Sequence, residues 1–132
     1  MNAPAEDIKD MLEAESSLGL TFQTDLFIGR EPSKPDNSVT IFDTSGYPPM
    51  LTLGNDSQYY YPSVQIRVRN RDYQDGYALI SSIVALLHGK HNEVWNNTYY
   101  SVIACSSEPF LLDWQEHYAR FVCNFNIQRR EV

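Results

Sequence analysis

The sequence predicts an α+β domain: a mostly antiparallel sheet with two α-helices packed on one face. Three observations carry the prediction. Apolar residues recur at helical spacing in two stretches, around Ile8 and from Tyr73 to Leu87. Two others, Val64–Arg69 and Ala119–Ile127, alternate apolar with polar residues as half-buried strands do. Proline, glycine and asparagine punctuate the chain between them. With 132 residues, one domain spanning 1–132 is expected, large enough to bury about two-thirds of its unfolded surface.

Taken in order, Pro4 suits a helix start, and Ile8, Met11, Leu12 and Leu18 give helical spacing up to a stop at Gly19. Glu6 and Asp7 fall near the positive end of that helix dipole. A short strand is expected at Leu26–Gly29, then a polar loop holding Pro32 and Pro35. A second strand follows at Val39–Asp43. In Val64–Arg69 the residues Val64, Ile66 and Val68 face the core, and Arg67 and Arg69 share the outer face. The period then switches to helical: Tyr73, Tyr77, Ile80, Val84 and Leu87 form a stripe, with Asn70 or Asp72 as the cap and Gly89 as the stop. Strands at Asn92–Asn96 and Thr98–Cys105 are divided by Asn96-Asn97, which tolerates left-handed turn geometry. Ser107–Glu116 links or extends them. A last strand places Ala119, Phe121, Cys123, Phe125 and Ile127 on one face.

The formal net charge of −7 argues against a simple nucleic-acid coat, which presents net basic surface to phosphates. Cys105 and Cys123 lie in apolar stretches and read as small buried hydrophobes in a reducing compartment, although a disulfide is open to them if their strands pair. The polar, acidic N-terminus is not a signal peptide, and no apolar run has membrane-spanning length, so a cytoplasmic protein without membrane contact is expected.

Catalytic signals are poor. There is no glycine-rich phosphate loop, nucleophile elbow or paired-cysteine zinc pattern. His88, His91 and Glu93 straddle a glycine at a helix end, so no regular element puts them on one face. His88 and Lys90 read instead as partners of the negative helix end, and His117 as a surface residue. No catalytic, metal or cofactor site is therefore expected.

Two features remain. Residues 44–63 form a long loop bearing Tyr47, Met50, Leu51, Tyr59, Tyr60 and Tyr61, more large apolar groups than a disordered linker carries. It is either a hairpin or arm folded on its own core, or an arm packed on a neighbouring subunit, where tyrosine is favoured. Arg67, Arg69 and Arg71 form a row that is a solvated face with scattered ion pairs, a contact with carboxylates across an interface, or a contact with nucleic-acid phosphates.

The run "DNSVTIFDTSGYPP", followed after a loop by "YPSVQIRVRNRDYQDGYALISSIVALLHG", resembles the minor capsid or tail terminator proteins of long-tailed bacteriophages. The matching features are the Asp43–Pro49 turn, the Val64–Arg69 strand, Asp72-Tyr73 and the Leu87–Gly89 helix end, in that order. Asn70 stands where a glycine is often expected, which bears on the local turn alone. The resemblance implies a non-enzymatic subunit of a ring, typically hexameric. The ring caps the tail tube, stops its polymerisation and provides the head-joining surface. It implies as partners further copies of the chain, the tail tube protein and a head-completion or neck protein. DNA passes through the ring without specific binding. The place implied is the head–tail junction of the virion, after assembly in the host cytoplasm. Alternatives are another connector of the neck, a stopper or adaptor, and a small nucleic-acid-binding adaptor that stacks bases on Tyr59, Tyr60 and Tyr61.

Overall fold

Helix α1 (Pro4–Ala14) starts at its proline and buries Ala5, Ile8, Met11 and Leu12. No side chain of its own caps it. The Ala5 N–H instead donates to Asp43 Oδ1 at 3.0 Å, so a strand carboxylate satisfies one orphan donor of the first turn. The helix is shorter than its spacing predicts. Glu15 turns extended (φ −87°, ψ 99°), and a separate 3-10 turn, Ser16–Leu18, closes on Gly19 at φ 66°. The left-handed conformation there explains the glycine.

The computed structural model describes residues 1–50 and 58–132. Its sheet contains β1 (Leu26–Ile28), β2 (Ser38–Tyr47), β3 (Tyr61–Asn70), β4 (His91–Trp95), β5 (Thr98–Cys105), β6 (Phe110–Gln115) and β7 (Tyr118–Glu131). The lateral order is β1-β2-β3-β7-β5-β4, with β6 also on β7. The sheet is mixed: β1 runs parallel to β2, and the other pairs are antiparallel. Strand β7 organises it. One edge pairs with β3 from Ala119 to Asn126, and the other takes β6 at Tyr118–Val122 and β5 at Phe125–Glu131.

Residues 44–63 are less of a loop than their composition predicts. Strands β2 and β3 take up both ends of the stretch, in register to Thr44↔Ser63 and again at Tyr47↔Tyr61 beyond a bulge. Tyr60 continues alongside β7 through paired backbone bonds with Arg129.

Helix α2 (Tyr73–Leu87) is capped by Asp72, whose carboxylate accepts the Asp75 N–H at 2.9 Å. Asn70 supports the cap by accepting the Asp72 N–H at 2.8 Å. Ile80, Ile83 and Leu87 are buried with Ile8, Met11 and Leu12 of α1 in one cluster, over Val39, Ile41, Val64, Ile66, Val68, Phe121, Cys123, Phe125 and Ile127 of the sheet. The first turns depart from the expected stripe: Tyr73 and Tyr77 are 48% and 44% exposed and meet Phe121 only edge-on. Asn96 and Asn97, at φ 52° and 62°, make the two-residue β4–β5 turn.

Several polar residues sit differently from expectation. Asp7 is fully buried: its carboxylate accepts from the Tyr100 hydroxyl and from Asn96 Nδ2 at 2.7 Å, with Arg129 Nη1 3.9 Å away. Burial first, then the bond to Asp7, holds the Tyr100 phenol well above its ordinary range. His88 Nδ1 accepts the Cys105 N–H at 2.9 Å, tying the end of α2 to β5, while Lys90 pairs with Glu93 at 3.1 Å. Cys105 and Cys123 are free thiols with Sγ atoms 3.2 Å apart, and burial raises the Cys123 thiol. Among the described residues no three His, Cys, Asp or Glu side chains gather as metal ligands.

Candidate assembly interface

The three arginines of the row have three different environments. Arg69 shares the outer strand face with Arg67, as the alternation predicts, but it is 4% exposed rather than solvated. The 31–37 segment folds over it: Nε donates to the Asp36 carbonyl at 3.0 Å and Nη2 to that of Pro35 at 2.7 Å, and Tyr118 lies beneath the guanidinium. In this subunit Arg69 therefore holds a loop. Arg67 is half-buried, stacked 4.8 Å from the Phe42 ring, and its Nε donates to Gln65 at 2.8 Å. Among the described residues Arg67 makes no ion pair. Arg71 is exposed, with one long contact to Asp36 at 3.5 Å.

Arg69 lies directly opposite Arg120 on β7. Like charges so placed repel, and separate acceptors resolve the conflict. Arg69 takes carbonyls, whereas Arg120 takes Asp113 through two bonds of 2.7 Å and Glu31 at 2.7 Å. The bonds from Arg120 hold the Asp113 carboxyl below its ordinary range. A lowered carboxylate contributes stability above the unfolded pKa of about 4 and loses it as pH falls through the folded value. Asp113→Asn should therefore lower stability at pH 7, by no more than about 1 kcal/mol given its exposure. It should also flatten the loss between pH 5 and 3 in urea unfolding; an unchanged pH slope would remove Asp113 from the account.

At the far end of the β2–β3 hairpin, Tyr47 and Met50 are 73% and 56% exposed. With Pro48 and Tyr61 they line an open, almost wholly apolar concavity. Tyr59, Tyr60 and Tyr61 are all half-buried. Leu51, expected on the same arm, lies outside the described residues.

A second apolar surface went unrecognised in the sequence. All six residues of β6 are exposed, among them Phe110, Leu111, Leu112 and Trp114. The register shifts between Leu111 and Asp113, so Leu112 is the extra residue of a bulge. Leu111 and Trp114 consequently fall opposite Phe121 and Ala119, on the side of α2, where Trp114 stacks on Tyr73 at 6.4 Å. Tyr73, Tyr77, Leu111 and Trp114 thus form one aromatic-rich patch. Four large apolar groups within "FLLDW" were the available signal, but the bulge breaks the alternation that would have assigned faces.

No curated protein matches the chain. Among solved structures it is similar to a chain of the "Virion of native gene transfer agent (GTA) particle", with a TM-score of 0.67 at 10% identity, covering 97% of this chain and 95% of that one. A second solved structure is 12% identical with a TM-score of 0.49, covering 98% of this chain and 91% of the other. The first likeness establishes a shared fold. The family described as "Bacteriophage tail terminator protein" matches residues 15–129, which takes in both apolar surfaces and the arginine row. The chain belongs to the bacteriophage tail terminator family, a family of structural proteins of the virion.

Proposed function

We propose that this chain is the repeating subunit of a closed ring, hexameric as the family resemblance implies. The ring caps the tail tube, stops its polymerisation and offers the surface that joins the head. The observation that carries this reading is the hairpin end, where among the described residues Tyr47, Pro48, Met50 and Tyr61 line an open apolar concavity and Tyr47 and Met50 are exposed. Exposed apolar surface of that kind marks association. On the outer strand face the 31–37 segment covers Arg69, and the Arg67 position beside it is left for neighbours. A half-desolvated guanidinium with no carboxylate partner among the described residues suits a charge pair completed by another subunit.

The chain acts by binding alone. Its partners are further copies of itself, the tail tube protein and a head-completion protein, at the head–tail junction of the virion. The acidic subunit suits a passage through which DNA slides without being held. Likeness to a virion chain supports assembly within a particle.

Sedimentation of the purified protein tests the reading. The wild type should sediment as a ring. Arg67→Glu combined with Arg71→Glu should remain folded by circular dichroism and sediment at least tenfold more weakly associated. Undiminished rings from that variant would remove the arginines from the interface.

A further inference from the structure

The two apolar surfaces lie at opposite ends of the molecule. Strand β6 pairs with Tyr118–Val122 at the start of β7, whereas the hairpin end lies level with Arg129, near its finish. At about 3.3 Å per residue the two surfaces are roughly 20–30 Å apart along the strand direction. They also project from opposite sides of β7, since β3 and β6 occupy its two edges. The described residues of the hairpin end, Tyr47, Pro48 and Met50, therefore stand away from the β6 patch of their own chain.

We infer that the patch formed by Tyr73, Tyr77, Leu111 and Trp114 is the seat for the hairpin end of a second copy of this chain. The inference rests on the ring reading and supplies its missing half: what the projecting hairpin docks into. Three features select this occupant. First, the two surfaces differ, one a proline- and methionine-bearing tip and the other an aromatic floor, so contact between them is heterologous and generates rings when it closes. Second, in a closed ring every copy uses one tip and one floor, leaving neither apolar surface in water. Docking of the floor on a tube subunit would leave the tips uncovered. Third, the floor is built from the residue types that dominate binding energy, and its rings are held in place: Trp114 stacks on Tyr73, and Tyr73 and Tyr77 stand edge-on against buried Phe121. An ordered aromatic floor loses little side-chain freedom on binding.

A mixing experiment decides it. One variant removes the tip (Tyr47→Asp with Met50→Asp), and the other removes the floor (Leu111→Asp with Trp114→Asp). Trp114→Ala serves as a milder floor variant in case the double change unfolds β6. Circular dichroism and thermal melts establish that each is folded. Each variant alone should sediment as a monomer. Mixed in equal amounts, they should form a heterodimer and stop there, because one copy keeps a working tip and the other a working floor. A floor variant that still forms full rings overturns the inference while leaving the ring reading intact. So does a mixture of two folded variants that stays monomeric although the wild type associates. A tip variant that dimerises by itself overturns it too, showing that the floor pairs with another floor. A wild type that stays monomeric at all concentrations sinks both readings together.

Discussion

Asp7→Ala is expected to destabilise the fold by about 3–5 kcal/mol, the cost of removing one partner from a buried charge pair. Asp7 is 0% exposed, and four groups meet its carboxylate. The Tyr100 hydroxyl donates to it, Asn96 Nδ2 donates at 2.7 Å, the exposed Asn2 Nδ2 donates at 3.4 Å and can turn to water, and Arg129 faces it at 3.9 Å. Without it, Arg129 keeps the Asn2 carbonyl at 2.9 Å and the Tyr100 oxygen at 3.3 Å, but no anion among the described residues. Among the described residues its Nε is already buried without a partner. Asn96 retains Asp10 at 2.8 Å, so the loss falls on Tyr100 and Arg129. Guanidinium unfolding checks the figure. Combining Asp7→Ala with Arg129→Met should recover part of the loss, because the second change removes the stranded charge. A loss below about 1 kcal/mol in the single variant would show that water or a neighbour replaces the carboxylate.

Gly46→Ala is the second large effect, and it separates assembly from folding. A Cβ at residue 46 would lie 2.0 Å from the Tyr61 carbonyl oxygen and 2.7 Å from Pro62 Cα. Both are backbone atoms, so no side-chain rotation relieves the clash. The strands must part at the bulge between Thr44 and Tyr47. Below the bulge, register from Ser38↔Arg69 to Thr44↔Ser63 stays in place, and the core under it is untouched. The variant should therefore keep its secondary structure and lose only about 1–3 kcal/mol, as overpacking does. Its Tyr47 and Met50 surface would be displaced, and association should fall by tenfold or more in sedimentation. Full association at unchanged affinity would show that the tip does not need this geometry.

The physics explains which parts of this fold the sequence discloses. Periodicity marks α2, β3 and β7 because each buries one regular face against the core, and Asn96-Asn97 marks a turn because few residue pairs accept two left-handed conformations. Burial imposed by distant segments leaves no local trace. Arg67 and Arg69 look equivalent along the chain, yet the 31–37 segment covers only the second. Asp7 has the pattern of a first-turn acid on a surface helix, and only the arrival of Tyr100 and Arg129 from β5 and β7 makes it an interior charge. Tyr73 and Tyr77 follow the helical period faithfully but sit where α2 overhangs the sheet beside β6. Of the candidate surfaces, the hairpin end was legible through its concentration of large apolar groups. The β6 patch was not, because one extra residue at Leu112 scrambles its alternation.

The central claim is that this chain works by closing on copies of itself at the end of a tube. The most direct measurement is electron microscopy of growing tail tubes, supplied with further tube subunits in the presence and absence of the purified protein. The account predicts an annular cap on one end of each tube and arrested growth there, with the Gly46→Ala protein failing at both. Tubes that lengthen equally with and without the wild-type protein, their ends bare, would contradict it.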